Sequence, residues 1–354
     1  MQPAGSRPHA QMALTNLYPG YFAFVMATGI VSTAADLFQL QFFSLLLLLL
    51  ATVGYGVLIV LYVWRLIAFP QETREDAINP GKAFGFFTFV AASNVLAVRY
   101  VTAGDLRIAV LLGGIGAIAW LALTYTIPLG LMLGSSDHRL GPSVNGSWLI
   151  WVVATQSVST VASVFASTGG SQAALLAFLA ATYWAIGTIL YLVLITIITG
   201  RLLLSGMSAA ELTPPYWINM GATAISVLAG ARLLAVPLPA ELAALQPVVL
   251  GISFMLWAFG SFWIPAVVLF GVWRYGAAGQ PLAYEPALWS MVFPLGMYGT
   301  ATDLFGKTAG LPWLPQIAWG EVWFAYAAWV IVFLGMITAA WRRKALGGRP
   351  SGIG

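Results

Sequence analysis

Ten long apolar runs decide what this chain can be. They lie at about 17–36, 42–67, 82–101, 106–133, 147–167, 172–199, 216–235, 247–273, 284–305 and 319–341, and each is long enough to cross a hydrocarbon core of roughly 30 Å. A backbone in hydrocarbon must satisfy its own polar groups, so runs of this kind form helices. The expected fold is an all-α membrane protein: a single transmembrane domain over 17–341, a polar N-terminus over 1–16 and a basic C-terminus over 342–354. Composition agrees, since 60% of the 354 residues are hydrophobic, 7% are charged and mean hydropathy is +0.89. That is more apolar surface than a water-soluble chain can cover. Cysteine is absent, which excludes disulfides, thiolate metal sites and cysteine nucleophiles. The first sixteen residues carry Arg7 and His9 and lack the short apolar core and cleavage site of a secretory signal, so the first run is expected to remain as a span.

An even number of spans puts both termini on one side. Of the 15 lysines and arginines, eleven fall on that side and four on the other, with the largest groups at Arg342-Arg343-Lys344 and at Arg65, Arg74 and Lys82. Positive charge in short loops marks the cytoplasm, so both termini are expected there, in a multi-pass protein of the plasma (inner) membrane.

The odd-numbered spans repeat one another. Their starts read Tyr18-Pro19-Gly20-Tyr21, Asn79-Pro80-Gly81-Lys82-Ala83-Phe84, Asn145-Gly146-Ser147-Trp148, Thr213-Pro214-Pro215-Tyr216 and Glu285-Pro286-Ala287-Leu288-Trp289. Each joins a breaker or capping residue to an aromatic, the chemistry of a helix start at a membrane interface. Farther in, the same spans turn small and weakly polar at Thr28 and Gly29, Ser93 and Asn94, Thr155 to Ser157, and Thr223. The ninth has Phe293-Pro294 instead. Proline there removes the amide that would bond to the Ser290 carbonyl, a break tolerated only inside protein or beside water. The even spans are dominated by large apolar side chains, as helices facing lipid are. The expected architecture is ten transmembrane helices as five helical hairpins, with five inner (odd) helices around a central pore and five outer (even) ones.

Little in this sequence can do catalysis. The two histidines, His9 and His138, are far apart in polar segments, no metal triad is available, and no nucleophile or phosphate-cradling motif stands in a suitable context. No enzyme activity, cofactor, metal or nucleic-acid partner is expected. The eleven acidic residues, Asp36, Glu241, Asp303 and Glu321 among them, all fall at expected span ends or in loops, which leaves no buried carboxylate to repel an anion. Thr28, Gly29, Ser93, Asn94, Thr155, Gln156 and Thr223 are therefore expected to line a neutral polar path, and Gln156 and Asn94, the costliest to leave facing lipid, to point inward. Arg99 and Arg232, at the far ends of two odd spans, are candidates for an anion-attracting rim. Snorkelling anchors are the commoner role for arginines so placed. Taken alone, Phe293 reads as a packing residue.

The run Leu17-Tyr18-Pro19-Gly20-Tyr21-Phe22-Ala23-Phe24-Val25-Met26-Ala27-Thr28-Gly29, the ten-span layout and Trp289-Ser290-Met291-Val292-Phe293-Pro294 together resemble the tellurite-resistance/dicarboxylate transporter family. That family includes bacterial tellurite-resistance proteins, fungal malate permeases and sulfite exporters, and plant slow anion channels. The resemblance implies a homotrimer with a pore in each protomer, and a phenylalanine of the ninth helix that plugs it. The matching residues are Phe293 as gate and Pro294 as the break beside it. It further implies an anion channel or transporter for chloride, nitrate, sulfite, tellurite or C4-dicarboxylate. The alternative is a proton-coupled C4-dicarboxylate carrier or a sulfite/tellurite exporter.

Overall fold

The computed structural model describes residues 14–134, 141 and 143–347, the side chains of 241 and 343–347 excepted. His9, His138 and Arg349 lie outside the described residues, and of Arg343 and Lys344 only the backbone is described. Every regular element among the described residues is helical. The long helices are α1 (Ala23–Leu37), α2 (Gln41–Ala68), α3 (Phe87–Thr102), α4 (Leu106–Gly134), α5 (Ile150–Ser167), α6 (Ala173–Leu204), α7 (Ile218–Leu234), α8 (Gln246–Gly271), α9 (Trp289–Thr308) and α10 (Leu314–Gly347). Among the described residues, 9 segments, which overlap all of these but α9, are long and apolar enough to cross a membrane. A short polar helix, Pro70–Ala77, follows α2.

A single turn of 3-10 helix leads into each odd-numbered helix: Pro19–Phe22, Ala83–Phe86, Gly146–Leu149, Pro214–Trp217 and Pro286–Leu288. These are the five similar starts of the sequence. Proline occupies the first positions in three of them, where no amide partner is needed. The third is capped by Asn145, whose side chain accepts the Ser147 N–H at 2.9 Å. The five turns touch one another in ring order.

The odd helices also pack side by side in order, α1 on α3, α3 on α5, α5 on α7, α7 on α9 and α9 back on α1, while each even helix lies against the odd helix before it. Burial follows that order. In the spans containing α1, α3, α5 and α7, 78% to 89% of the apolar window is buried, against 17% to 39% in those of the even helices. The bare surface of the even helices is large and apolar, as lipid contact requires.

Glycine makes four of the five inner joints close. A Cβ on Gly29 would stand 2.8 Å from Val95 Cγ1, one on Gly221 2.7 Å from Pro294 Cγ, and one on Gly296 3.1 Å from Ile30 Cγ2. Gly146 lies against the Pro215 backbone between the third and fourth turns. The fifth joint, α3 to α5, is a side-chain bond in which Asn94 Nδ2 donates to Ser157 Oγ at 2.9 Å. Gly29 and Gly221 thus sit within continuous helices and serve close approach.

Arginines near the ends of even helices fasten the loops beneath them. Arg65 donates to Asp76 Oδ2 at 2.5 Å and to the Thr15 carbonyl, Arg201 donates to the Val144 carbonyl and Tyr216 Oη, and Arg274 to the carbonyls of Ala209 and Ala210. Arg65 and Arg201 are each 2% exposed, and such buried charge persists only where partners surround it.

Candidate functional site

Two cavities lie at opposite ends of the inner helices. The first is a funnel among the five starts, bordered by Tyr18, Gly81, Asn145 and Ser147, Thr213 and Pro215, and Glu285 to Ala287. The second is narrow, with a void of about 20 Å³, room for about one water. Every odd helix contributes to its wall: Ile30 and Thr33 from α1, Asn94, Val95 and Val98 from α3, Ser157 and Thr160 from α5, Ile225, Leu228 and Arg232 from α7, Met297 and Thr300 from α9.

Helical periodicity extends these faces toward the funnel. One turn before Ile30, Val95, Ser157, Ile225 and Met297 stand Met26, Ala91, Val153, Gly221 and Phe293. All five are buried, and Phe293 is 0% exposed. Phe293 lies about 10 Å along the helix from Pro286 at the funnel and about 6 Å from Met297 at the far cavity. The layer between the two cavities is therefore apolar, and its bulkiest side chain is Phe293.

Of the expected path-lining residues, Asn94 alone borders the far cavity; the polar side chains of the others contact outer helices, and Gly29 packs against inner α3. Thr28 Oγ1 accepts from Trp329 Nε1 of α10 at 3.0 Å, Ser93 bonds Tyr55 of α2 at 2.7 Å, and Thr155 accepts from Trp120 of α4 at 2.9 Å. Thr223 faces Gly260 of α8. Gln156 does not point inward: its Nε2 donates to the Trp184 carbonyl of α6 at 3.1 Å, in space that Gly187 leaves open. Gly29 faces Val95. The physical reason is that a buried hydroxyl or amide needs a partner, and the outer helices supply indole and phenol donors at the matching depth.

These donors form a series that sequence reasoning missed. Each even helix reaches the next odd one: Tyr55 to Ser93, Trp120 to Thr155, Trp184 to the Ser226 carbonyl, Trp257 to Thr302, and Trp329 to Thr28. The signal was present as an aromatic with a polar tip in the middle of each even span, away from the interfaces where tryptophan and tyrosine gather.

The arginines divide. Arg99 is 1% exposed and donates to Ser32 Oγ, Ser44 Oγ, Asp36 Oδ1 and Thr102 Oγ1, so it is a fastener between α3, α1 and α2 rather than a free rim charge. Arg232 forms no ion pair among the described residues, its Nε is buried without a partner, and it borders the far cavity. Asn94 borders the same cavity, but its unpartnered Oδ1 faces Gly116 of α4.

Two carboxylates depart from the sequence reading. Asp303 lies within α9, buried, with Lys307 Nζ at 2.7 Å. Glu321 lies within α10, because that helix begins at Leu314, earlier than the apolar run suggests. Both stand near the α8–α10 side of the ring, where Trp257 Nε1 donates to Thr302 and Ser261 bonds Tyr298. Among the described residues no cluster of His, Asp and Glu fits a metal ion.

A family model described as a voltage-dependent anion channel, SLAC1, matches residues 16–337. The chain belongs to the SLAC1 family. Relatives within reach of it include an uncharacterized membrane protein of Mycobacterium tuberculosis, 43% identical over 148 residues that cover 42% of this chain and 75% of the relative. An uncharacterized transporter of Methanocaldococcus jannaschii is 23% identical over 92% of this chain and 96% of its own. A sulfite efflux pump of Arthroderma benhamiae is 21% identical over 91% and 90%. The expected family is thereby met, and with it a multi-pass membrane protein of the anion-transport class.

Proposed function

We propose that this SLAC1-family chain is an anion channel or uniporter-like transporter in which small anions move along the axis of the inner helices. In this reading ten helices cross the plasma membrane with both termini in the cytoplasm, and each protomer of a homotrimer carries its own path. The observation that carries it is Arg232, a cation without an ion pair among the described residues beside a cavity that all five inner helices border. A desolvated guanidinium is costly without a counter-charge, and an anion from solution provides one.

Phe293 is the gate in this reading. An aromatic ring in an apolar layer blocks the path and dewets it. The missing amide at Pro294 loosens the helix beside it, so a side-chain rotation or a small local shift suffices to open it. The cargo set is chloride, nitrate, sulfite, tellurite and C4-dicarboxylates, and the relative named as a sulfite efflux pump supports keeping sulfite among them.

The test is current across a planar bilayer at fixed pH. Phe293→Ala raises anion current, Arg232→Gln lowers it, and reversal potentials follow the anion gradient. An unchanged Phe293→Ala current removes the gate, and an unchanged Arg232→Gln current removes the counter-charge argument. A second reading, a proton-coupled dicarboxylate carrier or sulfite/tellurite exporter, draws on Asp303 and Glu321 within helices, since carboxylates at such depth mark proton relays. Substrate movement that tracks a pH gradient without current selects it.

A further inference from the structure

The two cavities differ in charge. The far one has Arg232 in its wall, whereas among the residues that border the funnel there is one ionisable carboxylate, Glu285, and no lysine or arginine. Glu285 is half-buried and forms no salt bridge among the described residues; the Lys82 ammonium beside Gly81 is held instead by Asp76 at 2.8 Å. Nor is Glu285 a structural cap. It precedes the turn Pro286–Leu288 with an extended backbone, and its side chain makes no capping hydrogen bond. What remains for this carboxylate is the space it faces, a funnel drawn from all five helix starts.

We infer that Glu285 determines which anions pass by their charge: it sets a penalty at the funnel that a dianion meets twice as strongly as a monoanion, so the path favours monovalent anions. This rests on the proposal that anions follow the axis. The sign comes from Coulomb's law. A fixed carboxylate repels in proportion to the valence of the passing ion, and a unit charge a few ångströms from the path discriminates the second negative charge about threefold even at the dielectric of water. The five helix starts oppose it, because their exposed amide ends are electropositive. Their attraction draws anions of every valence to the funnel, and Glu285 weights the balance against the doubly charged ones. The position is also favourable for experiment: a side chain with no cap bond and no ion pair can be exchanged without removing a structural partner.

The experiment is flux of nitrate and of sulfate into proteoliposomes, measured for wild type, Glu285→Gln, Glu285→Asp and Arg232→Gln. Glu285→Gln raises the sulfate-to-nitrate ratio about threefold, with the larger change in sulfate, and Glu285→Asp leaves the ratio near that of wild type. The change shrinks at high salt, as screening of a charge that faces a solvent-filled funnel requires. A ratio equal in wild type and Glu285→Gln, with nitrate flux intact and lost in Arg232→Gln, overturns the role of Glu285 while the axial path stands. Flux that is insensitive to both substitutions overturns the axial path itself. A Glu285→Gln protein that changes both ions equally shows that the residue affects opening rather than valence, which also overturns the inference.

Discussion

Gly221 of α7 lies directly against the pyrrolidine ring of Pro294 in α9, so close that a methyl group on Gly221 would stand 2.7 Å from Cγ. The residue without a side chain and the residue without an amide are thus seated together, next to Phe293. Gly221→Ala forces α9 outward and costs about 1–3 kcal/mol. Thermal unfolding in detergent measures it, and a protein as stable as wild type would show that the joint is slack.

Arg99 is held by four side chains at the far ends of α1, α2 and α3. Truncation to alanine leaves the partly exposed Asp36 without its ion-pair partner, removes a donor from the buried Ser32 and Ser44 hydroxyls and costs about 1–3 kcal/mol. The check is the denaturation midpoint beside that of Asp36→Asn and the double variant. Strictly additive losses would mean that the two do not act as a pair.

Gln156 contacts α6, so Gln156→Ala lowers stability by about 1–3 kcal/mol and leaves the permeability ratio of nitrate to chloride unchanged. A shifted ratio would return this amide to the pore wall.

The bond from Trp329 to Thr28 joins the last helix to the first, across 301 positions of sequence. A double-mutant cycle with Trp329→Phe and Thr28→Val returns a coupling of about 0.5–1.5 kcal/mol. No coupling would mean that the contact is made without energetic consequence.

Glu211, in the loop between α6 and α7, accepts the Ser208 N–H at 2.9 Å and lies 3.7 Å from Arg201. That backbone hydrogen bond, aided by the Ser208 hydroxyl and the charge of Arg201, holds its carboxyl below the usual carboxylate range. A depressed folded-state value stabilises above the unfolded value, and the contribution fades as pH falls through the folded one. Melting temperature against pH should therefore drop in acid for wild type and less steeply for Glu211→Gln. Parallel curves would exclude the linkage.

The helix starts were legible because proline, asparagine and aromatic residues act locally. The facing of the inner hydroxyls was not legible. An inner helix is buried on all sides, so the contrast between polar and apolar faces that orients a surface helix is missing. The cost of leaving Gln156 and Asn94 in lipid excluded lipid, but it did not choose between the axis and an outer helix. Arg99 and Arg232 stand at like depths in their spans, and only the neighbours, Asp36 and Ser44 for one and an open cavity for the other, separate their roles. Glu321 stands two turns inside α10, because residues 314–318 are helical although the apolar run starts only after them.

The joints between inner helices behave like the staves of a cask. Four are pressed together at glycine, where nothing can swing aside, and such staves part only when a whole helix slides. The stave between α3 and α5 is closed by Asn94 and Ser157, a latch that one side-chain rotation undoes. The ring accordingly has one joint of a different kind, and it lies at the wall of the cavity that Arg232 also borders.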